Sequence, residues 1–176
     1  MVGIFCMNIC YITYMNPTTI YLGTDHAGFA YKELIKKHLE EDGYTVIDHG
    51  AYTEDPTDDY PIYVHAAAMD VSKQAEKVSD DMTTFAIILG GSGQGEAIAA
   101  GRLPYVRTTV CYGGHDALEI VKRGREHNNA NVLSLGARFI EEKDLLKIVD
   151  TWLTTSFTKE ERHVRRLIEL ERASTK

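Results

Sequence analysis

Residues 85–100 read FAIILGGSGQGEAIAA, and the fold can be inferred outward from this stretch. The run FAIILG (85–90) is apolar throughout and ends in glycine, which predicts a buried parallel strand at the centre of a sheet. A glycine-rich loop and a helical segment follow it. A strand followed by a helix is the repeating unit of parallel α/β sheets, in which ligands bind at the carboxyl ends of the strands.

The alternation of strand and helix continues through the chain from Thr18 onward. Four further strands are predicted at 19–23, 45–50, 108–112 and 131–136. Helices are predicted at 31–43, from Pro61 to about Val78, near 115–125, at 142–154 and from Lys159 to Arg172. This order predicts a three-layer α/β sandwich with a five-stranded parallel sheet of the Rossmann-like or flavodoxin-like type, followed by a C-terminal helical tail.

Composition excludes several classes of protein. The 176 residues are 44% hydrophobic and 26% charged, as in one globular domain, and the net charge of −7 argues against nucleic-acid binding. No apolar run is long enough to span a membrane. Cys6, Cys10 and Cys111 form no disulfide framework, so we expect a cytoplasmic protein. The seven histidines show no metal-ligand spacing, and we predict no metal.

The first charged residue is Asp25, and the apolar opening has neither the basic region nor the cleavage site of a signal peptide. We interpret residues 1–17 as a dispensable extension and 18–176 as the folded domain.

Polar residues follow the predicted strands at the edge where a ligand would bind. Asp25 and His26 come after the first strand, although Asp25 is also a typical helix cap. The loop 91–95 offers backbone N–H groups to an anion, but it matches neither the dinucleotide nor the P-loop pattern. Glu96 follows directly. It is either an exposed first-turn glutamate or a base acting beside those amides.

A second set of polar residues lies further along the chain. His127 and Asn128 stand in a predicted polar loop before the last strand, and Arg138 follows that strand. Arg162 and Arg166 are four residues apart, hence on one face of the last helix, where they either bind an anion or pair with neighbouring glutamates.

These segments together resemble the ribose-5-phosphate isomerase B family of sugar-phosphate isomerases. The resemblance runs from about Thr19 to Leu170. Its marks are GTDHAGF (23–29), DYP (59–61), GGSGQGEAIAA (90–100), REHNNANVL (125–133), GAR (136–138) and RHVRR (162–166). The resemblance implies a cofactor-free aldose–ketose isomerase that interconverts ribose 5-phosphate and ribulose 5-phosphate.

The resemblance also implies a role for each matching residue. One branch of the family has a cysteine base where this chain has Gly90, and another uses a glutamate that matches Glu96. His127 matches the residue that opens the sugar ring. The matching substrate contacts are Asp25, His26, Tyr60, Gly91, Ser92, Gly93, Gln94, Gly95 and Asn128, and the matching phosphate ligands are Arg138, Arg162 and Arg166. The family forms dimers, in some members tetramers, that share active sites across the interface.

Three alternatives stay open from the sequence. One is another isomerase of the same family, such as a galactose-6-phosphate isomerase. Another is a phosphosugar-binding module without catalytic activity, and the last is a nucleotide-binding Rossmann domain. A single chain that carries the base, the ring-opening histidine and all three arginines favours a self-sufficient ribose isomerase, and the presence of both Glu96 and His127 argues against the binding module.

We predict that a chain beginning at Met15 keeps the stability and the isomerase turnover of the full chain. The removed residues carry no charge and no matching family residue. Thermal unfolding and an assay with ribose 5-phosphate measure both properties. Loss of soluble protein or of turnover would show that the extension is required.

Overall fold

The computed structural model describes residues 18–75 and 83–174, over which strands and helices alternate. The strands are β1 (Thr19–Thr24), β2 (Thr45–Asp48), β3 (Thr84–Gly90), β4 (Thr108–Cys111) and β5 (Val132–Gly136). The helices are α1 (Phe29–Glu41), α2 (Tyr60–Gln74), α3 (Gln94–Ala100), α4 (Ala117–Asn128), α5 (Glu142–Thr154) and α6 (Glu161–Ser174). Two 3₁₀ helices, His26–Gly28 and Ala137–Phe139, follow β1 and β5.

The strands form one parallel sheet with the order β2-β1-β3-β5-β4. β3 occupies the middle position, as its composition predicts, and its residues from Phe85 to Gly90 are buried. Parallel sheets bury both faces under crossover helices, which explains the uninterrupted apolar run. The predicted five-stranded parallel sheet is confirmed.

Two apolar layers flank the sheet and make the structure a three-layer sandwich. On one face, side chains of α1, α4 and α5 pack against β1, β3 and β5, with the fully buried Trp152 among them. On the other face, α2 and α3 pack small side chains such as Ala67 and Ala68 against Tyr21 and Ile88. Alternate residues of each strand face opposite layers, since side chains alternate along a strand.

The main difference from the predicted elements concerns α4. The sequence predicts a helix near 115–125 and a polar loop containing His127, whereas the helix continues to Asn128. It ends where Asn129 adopts a left-handed conformation with φ of 42° and donates its N–H to the carbonyl of Arg125 at 3.0 Å. Asparagine tolerates this conformation and can replace glycine at a helix end. His127 is therefore a helical residue.

The predicted helical tail is α6, which is held to the body by a few buried contacts. His163 and Leu167 are each 4% exposed. The buried Arg107 pairs with Glu171 of α6 at 2.7 Å, and burial is the main cause that lowers the pKa of Arg107. No helix in the described part of the chain is long and apolar enough to cross a membrane. Residues 1–17 lie outside that part, as does Val78, and the described portion of α2 ends at Gln74.

Candidate active site

The carboxyl ends of β1, β3 and β5 lie side by side, because β3 pairs with both of the other strands. Thr24 pairs with Leu89, and Gly90 with Gly136. The segments that follow these strands therefore meet at one edge of the sheet. They carry the sequence-predicted residues Asp25, His26, Glu96 and Arg138, as well as the glycine-rich loop. We call this group, together with Tyr60, the carboxyl-end cluster.

The glycine-rich loop is fixed by close contacts with its neighbours. Gly93 has a φ of 72°, and its carbonyl accepts a hydrogen bond from the Ser134 hydroxyl at 2.6 Å. A side chain at Gly93 would be strained at this φ and would also lie 3.0 Å from the backbone nitrogen of Gly136. The backbone N–H of Gln94 donates to the Ser92 hydroxyl at 3.3 Å. These contacts therefore hold the backbone N–H groups of the loop in one arrangement.

Tyr60 and Arg138 pack directly against this loop. A Cβ atom added to Gly95 would lie 2.5 Å from the Tyr60 hydroxyl oxygen, and one added to Gly91 would lie 3.1 Å from Cζ of Arg138. The backbone N–H of Arg138 also donates to the carbonyl of Gly91 at 3.2 Å. The two glycines thus allow a phenol and a guanidinium to approach the loop closely. Their contact with the substrate stays a prediction.

Glu96 is the most unusual group of the cluster, because its carboxylate is buried. The residue is 4% exposed, and its Oε2 has no hydrogen-bond partner within residues 18–75 and 83–174. Burial raises the pKa of Glu96, and the nearby charge of Asp25 raises it further. Backbone N–H groups of Gly93 and of Glu96 itself partly oppose this rise in the pKa. The alternative of an exposed first-turn glutamate is wrong.

The carboxylate of Glu96 occupies the space beside Gly90. A Cβ atom added to Gly90 would overlap Oε1, Cδ and Cγ of Glu96. Only glycine at position 90 leaves room for this arrangement. Cys111, the one described cysteine, lies buried on β4, where burial raises the pKa of its thiol to about 11. Such a thiol is protonated at neutral pH and is a poor base.

Asp25 and His26 are held at the end of β1. The Asp25 carboxylate accepts the backbone N–H of Ala27 at 3.0 Å, so the residue does cap the short helix that follows it. The ring of His26 bonds through Nδ1 to Oδ1 of Asp58 at 2.7 Å. This hydrogen bond is the main cause that raises the pKa of His26.

Sequence reasoning missed Asp58 and the contribution of Tyr112. Asp58 stands in the polar segment between β2 and α2, where no periodic pattern distinguishes it from its neighbours. Tyr112 accepts a hydrogen bond from the amide of Gln94, and its ring packs edge-on against Phe139 at 5.3 Å between centroids. The sequence feature that could have identified Tyr112 is its position directly after β4.

The remaining predicted residues lie at the opposite edge of the sheet. His127 and Asn128 form the last turn of α4, which runs back from the end of β4 to the start of β5. They line a cavity of about 400 Å³ together with Thr108 and Thr109, the first residues of β4. A five-residue strand such as β5 spans roughly 15 Å, so one subunit does not bring His127 to Glu96.

The start of α6 lies beside His127. The backbone N–H of Thr158, just before α6, donates to the carbonyl of Glu126 at 3.1 Å. The His127 and His163 rings lie 4.4 Å apart between centroids, and burial is the main cause that lowers the pKa of His163. Arg162 and Arg166 are exposed on α6, and Arg162 pairs with Glu160 at 2.8 Å. We call His127, Asn128, Arg162 and Arg166 the amino-end cluster.

Two groups of side chains in the described ranges have ligand atoms close enough to hold a metal ion. They are Asp25, His26 and Asp58, and His38, Asp42 and Asp150. In each group the histidine nitrogen is already hydrogen bonded to a carboxylate at 2.7 Å. These contacts are satisfied as hydrogen bonds, and the absence of a metal stays a prediction.

The burial of Glu96 predicts a pH-dependent cost in stability. Its pKa is raised in the folded state, so the folded protein holds this proton to higher pH than the unfolded chain does. The stabilisation of the folded state by this bound proton is complete below the ordinary glutamate pKa. It is lost as pH rises through the pKa that Glu96 has in the folded protein. Glu96→Gln removes the titration. The stability of this variant relative to the wild type should therefore increase as pH rises above the ordinary glutamate pKa.

Urea unfolding of both proteins at several pH values measures this difference. Glu54→Gln, at an exposed glutamate, is the control and should show no such trend. An equal difference between Glu96→Gln and the wild type at all pH values would show that the Glu96 carboxylate is not desolvated.

Comparison with known proteins supports a family assignment. The Ribose/Galactose Isomerase family model matches residues 20–170. The chain is 41% identical to ribose-5-phosphate isomerase B of Mycolicibacterium paratuberculosis over 148 residues, which cover 84% of this chain and 86% of that protein. It is 38% identical to the Mycobacterium tuberculosis protein of that name over 153 residues, which cover 87% of this chain and 88% of the relative.

A solved structure agrees with the fold. The crystal structure of ribose-5-phosphate isomerase B from Mycoplasma genitalium with bound ribulose-5-phosphate superimposes with a TM-score of 0.81 at 30% identity. The match covers 90% of this chain and 97% of that one. Since the family model spans most of the chain and several curated relatives exceed 30% identity, this protein belongs to the Ribose/Galactose Isomerase family.

Proposed function

We propose that this protein interconverts D-ribose 5-phosphate and D-ribulose 5-phosphate through an enediolate. The observation that carries the proposal is the buried, unpartnered carboxylate oxygen of Glu96 beside the amides of the glycine-rich loop, within the described residues. A base with a raised pKa next to fixed N–H donors suits proton transfer at a carbon next to a carbonyl. The names of the relatives, one of them with bound ribulose-5-phosphate, support the same reaction.

In the proposed mechanism Glu96 transfers the proton between the two carbons. The carboxylate takes the proton from C2 of the open-chain aldose. The C–H electron pair forms the C1–C2 double bond while the π pair of the C1 carbonyl moves onto O1, which gives the enediolate. O1 gains a proton and O2 loses one as the C2 carbonyl forms, while Glu96 returns its proton to C1. The amides of residues 91–95 and the Ser92 hydroxyl stabilise the negative charge on these oxygens.

The other residues bind and prepare the substrate in this proposal. His127 opens the furanose ring by moving a proton at the ring oxygen or the anomeric hydroxyl. Asp25, His26, Tyr60 and Asn128 contact the sugar. Arg138, Arg162 and Arg166 bind the phosphate, whose binding energy orients the reacting carbons.

This mechanism requires two copies of the chain, because the two clusters lie at opposite edges of the sheet. We therefore propose a homodimer in which the amino-end cluster of one subunit completes the carboxyl-end cluster of the other. An apolar groove of about 710 Å³ supports this arrangement. It is lined by Tyr60 and Gly95 and by Ile62 and Ile98, whose exposures of 69% and 63% are large for isoleucine. We also propose a cytoplasmic location, consistent with the free Cys111.

Replacement of the proposed base tests the reaction. Glu96→Gln cannot accept a proton, so kcat should fall by roughly 10²–10⁴ while KM stays near the wild-type value. Cys111→Ser is the matched control and should be nearly silent. Turnover of ribose 5-phosphate, allose 6-phosphate and galactose 6-phosphate by the wild type gives the substrate preference. An active Glu96→Gln enzyme, or a folded but inactive Cys111→Ser enzyme, contradicts the assignment.

Mixing subunits tests the shared site. A hybrid dimer of one Glu96→Gln chain and one His127→Ala chain has one site with both defects and one intact site. It should recover about half of the wild-type turnover, although each parent homodimer is impaired. A hybrid of Glu96→Gln with the double variant Glu96→Gln/His127→Ala has no intact site and should stay inactive. Hybrids carrying two affinity tags can be purified and assayed, and the absence of recovery rules out sharing between subunits.

A further inference from the structure

The guanidinium of Arg125, in the last turn of α4, is buried without a carboxylate partner. The residue is 6% exposed, and no acidic side chain among the described residues forms a salt bridge with it. Arg107 is also buried, but it pairs with Glu171 of α6. Burial, with a smaller contribution from the charge of Arg107, lowers the pKa of Arg125 to about 10, so the side chain stays charged at neutral pH. A buried charge without a counter-ion is costly, because it has lost its hydration.

Hydrogen bonds use only part of this guanidinium. Nε donates to the carbonyl of Thr155 at 3.1 Å, and Nη1 donates to the carbonyl of Ala130 and to the side-chain oxygen of Asn129. These bonds account for three of the five N–H groups that a guanidinium carries. Nη2, which carries the other two, forms no hydrogen bond with the part of the chain that the structure describes.

Two aromatic rings hold the guanidinium of Arg125 in place. Its Cζ lies 4.8 Å from the ring centroid of Phe85 and 5.6 Å from that of Trp152. Cation–π contacts at these distances attract the charge to the rings. Because the rings and the three hydrogen bonds fix the group, the position of Nη2 is set in advance of any binding.

Arg125 lines a cavity of about 290 Å³, which we call the Arg125 cavity. It lies between the amino ends of β1 and β3 and the segment that joins α5 to α6. Lys159 adds a second cationic side chain, and Tyr44 and Ser156 add hydroxyl groups. No described residue of the lining is acidic. Small-molecule pockets have volumes of roughly 300–1,000 Å³, so this cavity suits an oxyanion or a small phosphate monoester better than a nucleotide.

We propose that the Arg125 cavity binds a small phosphate anion, as inorganic phosphate or as a phosphate monoester. Nη2 of Arg125 donates to the phosphate oxygens, and the charge of Lys159 and the hydroxyl of Ser156 assist. The anion offsets the buried charge and joins the ends of α4 and α5 to the segment that leads into α6. This site is separate from the proposed phosphate ligands of the substrate, since Arg138, Arg162 and Arg166 do not line the cavity.

The fluorescence of Trp152 reports on this site, because Trp152 is the only tryptophan in the sequence and lies beside Arg125. Inorganic phosphate replaces chloride at constant ionic strength, and we expect a saturable change in the emission. Thermal unfolding follows the same titration, since an anion that binds only the folded protein raises Tm. The double variant Arg138→Ala/Arg166→Ala, which weakens the proposed substrate site, should respond as the wild type does. Glycerol 3-phosphate is titrated in parallel, and the lower Kd shows whether free phosphate or a monoester is preferred.

A pair of variants at Ser156 tests the role of charge without removing the buried arginine. Ser156 is exposed at the cavity, so a longer side chain can be accommodated there. The carboxylate in Ser156→Asp can pair with Arg125 and replace the anion, whereas Ser156→Asn has the same shape without the charge. We expect phosphate to bind at least about tenfold more weakly to Ser156→Asp than to Ser156→Asn. Thr154→Asp, at an exposed position outside the lining, should bind as the wild type does.

Arg125→Met removes the guanidinium and keeps much of the apolar stem. If this variant folds, as judged by circular dichroism, it should lose the response to phosphate. If it does not fold, the comparison of Ser156→Asp with Ser156→Asn still decides the question.

Three results overturn the proposal. The first is a wild type in which phosphate changes neither the emission of Trp152 nor Tm in a saturable way. The second is equal affinity of Ser156→Asp and Ser156→Asn for phosphate. The third is loss of the response in Arg138→Ala/Arg166→Ala, which would locate the anion at the candidate active site. None of these measurements requires turnover, so their outcome is independent of the proposed function.

Discussion

The carboxylate of Glu96 occupies the volume that a side chain on residue 90 would need. The arrangement of the carboxyl-end cluster therefore depends on glycine at position 90. With glycine at the end of β3, the first turn of α3 can fold its glutamate back against the strand end. The carboxylate thereby leaves water, which raises its pKa, and the loop amides next to it partly oppose this rise. A more exposed glutamate would keep an ordinary pKa and would lack these donors.

Much of the fold follows from patterns that act over short distances. The apolar run at 85–90 predicts a central strand because only a strand covered on both faces needs apolar side chains at every position. The end of α4 was less predictable. It depends on Asn129 adopting a left-handed conformation, which asparagine allows but does not require. Helix boundaries set by one residue's conformation are not encoded in hydrophobic periodicity.

The sequence predicts which residues belong to the candidate site better than it predicts how these residues are arranged in space. Strand ends identify Asp25, Glu96 and Arg138 because parallel topology brings those ends together. Their partners are harder to find. Asp58 reaches His26 across 32 positions from a segment without regular structure. The separation of His127 from Glu96 follows from the direction of α4, which becomes clear only when the helix is placed on the sheet.

The overlap between positions 90 and 96 also restricts the order in which such a site can change during evolution. Consider an ancestor with a cysteine at the end of β3. If the glutamate arises first, the Cβ atom of the cysteine overlaps the position that the carboxylate occupies here, so the carboxylate has to lie elsewhere. If the cysteine changes to glycine first, the base is lost before its replacement exists. Neither single step yields the buried carboxylate seen here, so the two versions of the site are separated by a paired substitution.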